Sequence, residues 1–164
     1  MAKRECGSCT LCCKVMSVPE IGKTENAWCT HCLPSGGCKI YQDRPGECRT
    51  FNCGWLMDES LGEDWYPKKA KIVLTMQSGH IVARVDPATP AAWRKSPYFE
   101  GLNRIMQKNL PKGMLVYVAI SDHFTLLLPD RQAELGVLQA NDDVQVEPVS
   151  GPNGREYKVT VVKG

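Results

Sequence analysis

Cys6-Gly7-Ser8-Cys9-Thr10-Leu11-Cys12-Cys13 is the stretch on which the reading of the N-terminal third turns. A two-residue spacing between cysteines lets one tight turn present two thiolates to the same metal ion. Working outward, Cys29-x2-Cys32, Cys38, Cys48 and Cys53 follow, and no cysteine lies beyond Cys53 in the 164 residues. The total of nine is odd, so complete pairing within one chain is impossible. Cys12 and Cys13 are neighbours whose side chains diverge, which makes a poor disulfide and a good junction between two centres.

The remainder of residues 1–58 offers little for a conventional core. Its larger apolar residues, such as Leu11, Val15, Met16, Trp28, Ile40, Phe51 and Trp55, are scattered among glycine, proline and short polar residues. A segment of this kind needs disulfides or metal to offset the entropy of ordering. The lead-in Met1-Ala2-Lys3-Arg4-Glu5 reaches Cys6 without the apolar stretch of a secretory signal, which predicts a cytoplasmic protein. In a reducing cytosol clustered cysteines serve as metal ligands or reactive thiols rather than disulfides. Metal is the expected staple, and its binding energy would then be folding energy.

Four thiolates complete a tetrahedral zinc site, so eight fill two such sites. An iron–sulfur cluster brings its own sulfides and needs fewer protein ligands. Cys6-x2-Cys9-x2-Cys12 begins like a bacterial cluster site but departs from it at Cys13. Spacing alone leaves both open; zinc uses the cysteines most economically. A zinc ion with four thiolates carries a charge of about −2. Lys3, Arg4, Lys14, Lys39, Arg44 and Arg49 adjoin the cysteines in sequence and are the expected compensators.

Cys38-Lys39-Ile40-Tyr41, Arg44-Pro45 and Cys48-Arg49-x-Phe51-x-Cys53 complete a longer pattern. Together with the opening run, they resemble the CxxCxxCC cysteine-cluster family, a domain associated with zinc or iron chelation. The resemblance covers residues 6–53. It implies metal ligation by Cys6, Cys9, Cys12, Cys13, Cys32, Cys38, Cys48 and Cys53. Cys29 is then the extra cysteine, still at metal-like spacing, with His31 beside it as an alternative ligand. Some larger relatives are flagellin lysine methylases that use an iron–sulfur cluster; that activity is not carried over to this chain. Arg44-Pro45 reads as a helix start, with Asp43 as cap and Cys48 on the helix.

Residues 59–66 read as a boundary between a cysteine-cluster domain (1–58) and a second domain (59–164). Lys71–Gln77 and Ile81–Asp86 are β-branched runs around Ser78-Gly79, a two-residue hairpin signal. Met114–Ile120 with Phe124–Leu128, and Asp143–Val149 with Glu156–Val162, read as two more hairpins. Apolar spacing from Phe99 to Leu110 predicts one helix, starting near Pro97 and stopped by Pro111 and Gly113. The expected class is α+β: a small cysteine-rich, metal-stabilised N-terminal region, then an antiparallel sheet of hairpins with one covering helix.

The composition excludes several functions. No stretch approaches the roughly 18 apolar residues of a membrane span. Net charge is +2, with no strongly basic segment, so nucleic acid is a poor partner. No phosphate-binding glycine loop, nucleophile elbow or metalloprotease His pair is present. The expectation is a metal-binding protein with two structural zinc ions, acting as an interaction module for an unidentified protein partner. The alternative is an iron–sulfur redox or catalytic accessory protein.

Overall fold

The computed structural model describes residues 3–164 and is α+β. Five strands form one sheet in the order β1 (Ile72–Gln77), β2 (His80–Val85), β3 (Val116–Ile120), β4 (His123–Leu127) and β5 (Gln132–Val137). A separate two-stranded ribbon joins β6 (Asp143–Gly151) to β7 (Gly154–Val162). All three expected hairpins form. Ser78 and Gly79 both adopt positive φ, 50° and 78°, as a tight two-residue turn requires, and close the Gln77–His80 end of β1–β2.

Two features depart from the sequence expectation. The junction of β2 and β3 is parallel, so the sheet is mixed rather than antiparallel throughout. Four one-turn helices, α1 (Cys12–Val15), α2 (Gly46–Thr50), α3 (Gly54–Met57) and α4 (Pro67–Ala70), precede the sheet; residues 86–115 form a crossover that includes the single long helix, α5 (Tyr98–Asn109), and such a crossover returns the chain in the same direction. The fifth strand, β5, was not expected. Glu134 and Gly136 weaken its strand propensity, although Ala133 and Leu135 keep the alternation and pack on the sheet's second core.

The sheet separates two cores by the two-residue period of its strands. On one face Ala83, Val85, Val116, Val118 and Leu127 pack with Leu102 and Met106 of α5 and with Trp65 and Trp93. On the other, Val82, Tyr117, Ala119, Leu126 and Leu128 meet Val144, Val146, Tyr157 and Val159 of the ribbon. Gly101 of α5 rests against Trp65, where an added Cβ would lie 2.3 Å from the indole Cζ2. The first core continues into the cysteine region. Leu11, Val15, Cys53 and Trp55 belong to it, and an added Cβ on Gly54 would lie 2.7 Å from Leu74 Cβ on β1. These contacts, all crossing residue 58, seat the cysteines against the sheet. Among the described residues no helix is long and apolar enough to cross a membrane.

Candidate metal centre

The cysteines sit on short turns and single-turn helices. Cys9 N–H donates to the Cys6 carbonyl at 2.9 Å, and Cys32 N–H to the Cys29 carbonyl at 3.0 Å, so each two-residue spacing forms a tight turn. Cys12 and Cys13 open α1 (Cys12–Val15), which buries Val15. Cys29 N–H reaches the Cys13 carbonyl at 3.0 Å, which ties the second pair to the first run. Cys32 and Cys38 oppose each other across an antiparallel bridge, bracketed by Lys39 N–H to the His31 carbonyl (2.8 Å) and Leu33 N–H to the Gly37 carbonyl (3.0 Å). The intervening turn presses on the Cys6–Cys9 turn: a Cβ on Gly36, whose φ is 95°, would meet the Ser8 carbonyl at 2.7 Å.

Cys48 lies on α2 (Gly46–Thr50), and Cys53 precedes α3 (Gly54–Met57). The helix after Arg44-Pro45 therefore forms as expected, but Asp43 does not cap it. Glu20 does instead, its Oε2 accepting from Gly46 N–H at 2.9 Å. Distant residues also brace the first turn. The Tyr66 hydroxyl donates to the Cys6 carbonyl at 2.7 Å, and Lys68 Nζ to Ser8 Oγ at 2.9 Å.

All nine cysteines are free thiols. Eight of them, all but Cys32, line one cavity of about 400 Å³. Its other walls are largely apolar, including Met16, Ile40, Phe51, Trp55 and Leu56, and its only imidazole and carboxylate come from His31 and Glu47. Cys32 is not part of this lining, and its Sγ lies 3.8 Å from the Leu33 carbonyl. The structure thus gathers seven of the eight cysteines implied by the family resemblance, together with the extra Cys29.

Electrostatically the thiols fall into two neighbourhoods. Burial raises the pKa of Cys6, followed by the Cys53 thiol, against the pull of Arg44. Burial also raises Cys9, whose sulfur is opposed by the amides of Leu11 and Lys68 and repelled by Cys53 and Cys6. On the other side the hydrogen bond that the Cys13 thiol makes to Cys12 raises Cys13 strongly, with burial adding to it and Cys32 and Lys23 opposing. Burial raises Cys48 and Cys32; Cys48 is also repelled by Cys13, Cys29 and Cys38. Cys53 acts on Cys6 and Cys9, and Cys13 and Cys29 act on Cys32 and Cys48; Cys13 also repels Cys6 and so links the two sets.

Among the described residues no three His, Cys, Asp or Glu side chains converge as a ready ligand set. The donor chemistry nevertheless fits a soft metal: a lining of thiols, nearly free of oxygen donors, in apolar surroundings. Raised thiols stay protonated at neutral pH, and a bound cation displaces their protons.

Of the expected compensating cations, Arg4 and Lys14 are engaged elsewhere, whereas Arg44 acts on the thiols. Arg4 stacks on Trp55 and binds backbone carbonyls, and Lys14 pairs with Asp86 at 2.5 Å. Arg44 stacks on Tyr41, its Cζ 3.8 Å from the ring centroid, and acts on both Cys6 and Cys48. Lys23, Glu20, Tyr66 and Lys68 escaped the sequence reading because their contacts lie far along the chain or follow no local pattern. Compared with known families, curated proteins and solved structures, the chain matches none.

Proposed function

We propose that this chain is a metal-binding protein whose cysteine cluster holds two structural zinc ions. The observation that carries the reading is the gathering of eight thiols, the adjacent Cys12 and Cys13 among them, around one cavity. Cys6, Cys9 and Cys53 with Cys12 would hold one ion. Cys13, Cys38 and Cys48 with Cys29 or Cys32 would hold the other. Zinc would supply cross-links and positive charge that stabilise the thiolates and draw the turns together. The reading suits a reducing cytoplasm, where the thiols stay available.

A second reading, an iron–sulfur cluster, draws on the undivided cavity of about 400 Å³, which has room for inorganic sulfide. Anaerobic purification with measurement of zinc, iron and acid-labile sulfide separates the two. About two zinc ions per chain without sulfide supports the first reading; stoichiometric iron and sulfide replaces it with the second. A chain that binds neither, even when each metal is supplied, refutes both. Cys9→Ser should lower zinc content and expose residues 3–58 to protease; full metallation and unchanged resistance would remove Cys9 from the ligand set.

A further inference from the structure

We infer that Lys23 is the built-in counter-ion of the thiolate centre built on Cys13, with Cys29 and Cys12 beside it, an inference that rests on the metal reading above. Lys23 is only 8% exposed. Its backbone is pinned in both directions to Val18, with Val18 N–H to the Lys23 carbonyl at 2.8 Å and Lys23 N–H to the Val18 carbonyl at 3.1 Å. Gly22, at a φ of 64°, closes the turn between them. The side chain then runs back to the end of α1, where its ammonium donates to the Lys14 carbonyl at 2.7 Å and to the Met16 carbonyl.

Neutral carbonyls alone make poor company for a buried ammonium. Taking an ammonium out of water costs several kcal/mol unless an opposite charge answers it. Among the described residues Lys23 forms no salt bridge. The nearby carboxylate of Glu25 is engaged by Arg84 at 3.2 Å. The ammonium rests on the carbonyl of Lys14, the residue next to Cys13, and the Cys13 carbonyl in turn accepts from Cys29 N–H at 3.0 Å. Burial lowers the Lys23 pKa, and Cys13, Cys29 and Cys12 act against this, ahead of Glu25. As neutral thiols these cysteines do not offset the charge; as metal-bound thiolates they do. A four-thiolate zinc site of charge about −2 in turn needs a nearby cation. Lys14 cannot serve equally, because Asp86 already neutralises it.

Lys23 could instead be only a hydrogen-bond cap for α1, and two substitutions in the full chain separate the roles. Lys23→Gln keeps an N–H donor for the carbonyls and removes the charge. Lys23→Arg keeps the charge. Zinc alone is the probe, its affinity measured by competition with a chromophoric chelator, with urea unfolding of the metal-free chain as control. The counter-ion role requires Lys23→Gln to bind zinc about 10–100-fold more weakly, Lys23→Arg to stay close to wild type, and the metal-free Lys23→Gln chain to unfold no more easily than wild type. Wild-type affinity in Lys23→Gln overturns the inference and leaves the metal reading intact. A tenfold or greater loss in Lys23→Arg overturns it too, including where Lys23→Gln fails to fold. Failure of the wild-type chain to take up zinc overturns both.

Discussion

Arg4→Ala should destabilise the protein by about 1.5–5 kcal/mol, because one guanidinium joins the lead-in to Cys6 with the chain just beyond Cys53. Nη1 donates to the carbonyls of Trp55 at 2.6 Å and Asp58 at 2.9 Å, and Nη2 to those of Leu61 at 2.6 Å and Glu59 at 3.3 Å. Trp55 and Asp58 lie at the end of α3, where helix carbonyls lack intrahelical donors. The bonds to Trp55 and Leu61 are part-buried, and hydrogen bonds to charged groups contribute about 1.5–3 kcal/mol each. The two exposed bonds exchange readily with water. Stacking on Trp55, 4.7 Å from the ring centroid, adds about 0.5–1 kcal/mol. Ordering the side chain subtracts up to about 2 kcal/mol. The assay is urea unfolding of the metal-free chain, followed by tryptophan fluorescence at constant m-value. Arg4→Lys, with a single ammonium in place of a fork, should recover only part of the loss. A change below about 0.5 kcal/mol for Arg4→Ala, the level of an ordinary surface substitution, refutes the clamp.

Gly101→Ala forces a methyl against Trp65 and should cost about 1–3 kcal/mol despite alanine's better helix propensity; an unchanged thermal midpoint contradicts the close packing. Asp86 concerns pH. Burial alone would raise its pKa, but hydrogen bonds from Lys14 and the Ala88 amide, with the charges of Lys14 and Lys71, outweigh it and hold the carboxyl low. Its contribution is therefore fully present above the unfolded value near ~4 and disappears as pH falls through the lower folded value. Asp86→Asn should lower stability at pH 7 and lose less on acidification than wild type; equal acid sensitivity in urea titrations counts against the pair.

The elements most legible in sequence were those specified by contacts between near neighbours. Ser78-Gly79 supplies the two positive φ angles its hairpin needs, and the spacing of Leu102 and Met106 places both beneath α5. The parallel junction was not legible, because turn residues reveal hairpins but do not say where a strand returns after a long crossover. Proline position located α2 around Cys48, but not its cap, since Glu20 is a residue 26 positions away. The cysteine spacing pointed to the cavity, while the place of Cys29 on its lining depends on a backbone bond to Cys13, 16 positions away, which no local pattern reveals.

Those distant contacts bear on how metal and fold would share the ordering of the cysteine region. A metal module without a core pays its full ordering entropy when the ion binds. Here Leu11, Val15, Cys53 and Trp55 already belong to the core of the sheet, Tyr66 holds the Cys6 turn, and Arg4 fixes the residues that precede it. Part of the entropy is therefore met by packing, so metal need not create the region from a disordered chain. What remains for the ion is local and electrostatic: protons must leave thiols whose pKa values burial has raised, and the sulfurs must draw together from the walls of one cavity. On that division of labour, losing a single ligand should empty or loosen a centre before it unfolds the sheet, whereas losing Trp55 or Val15 should damage both together.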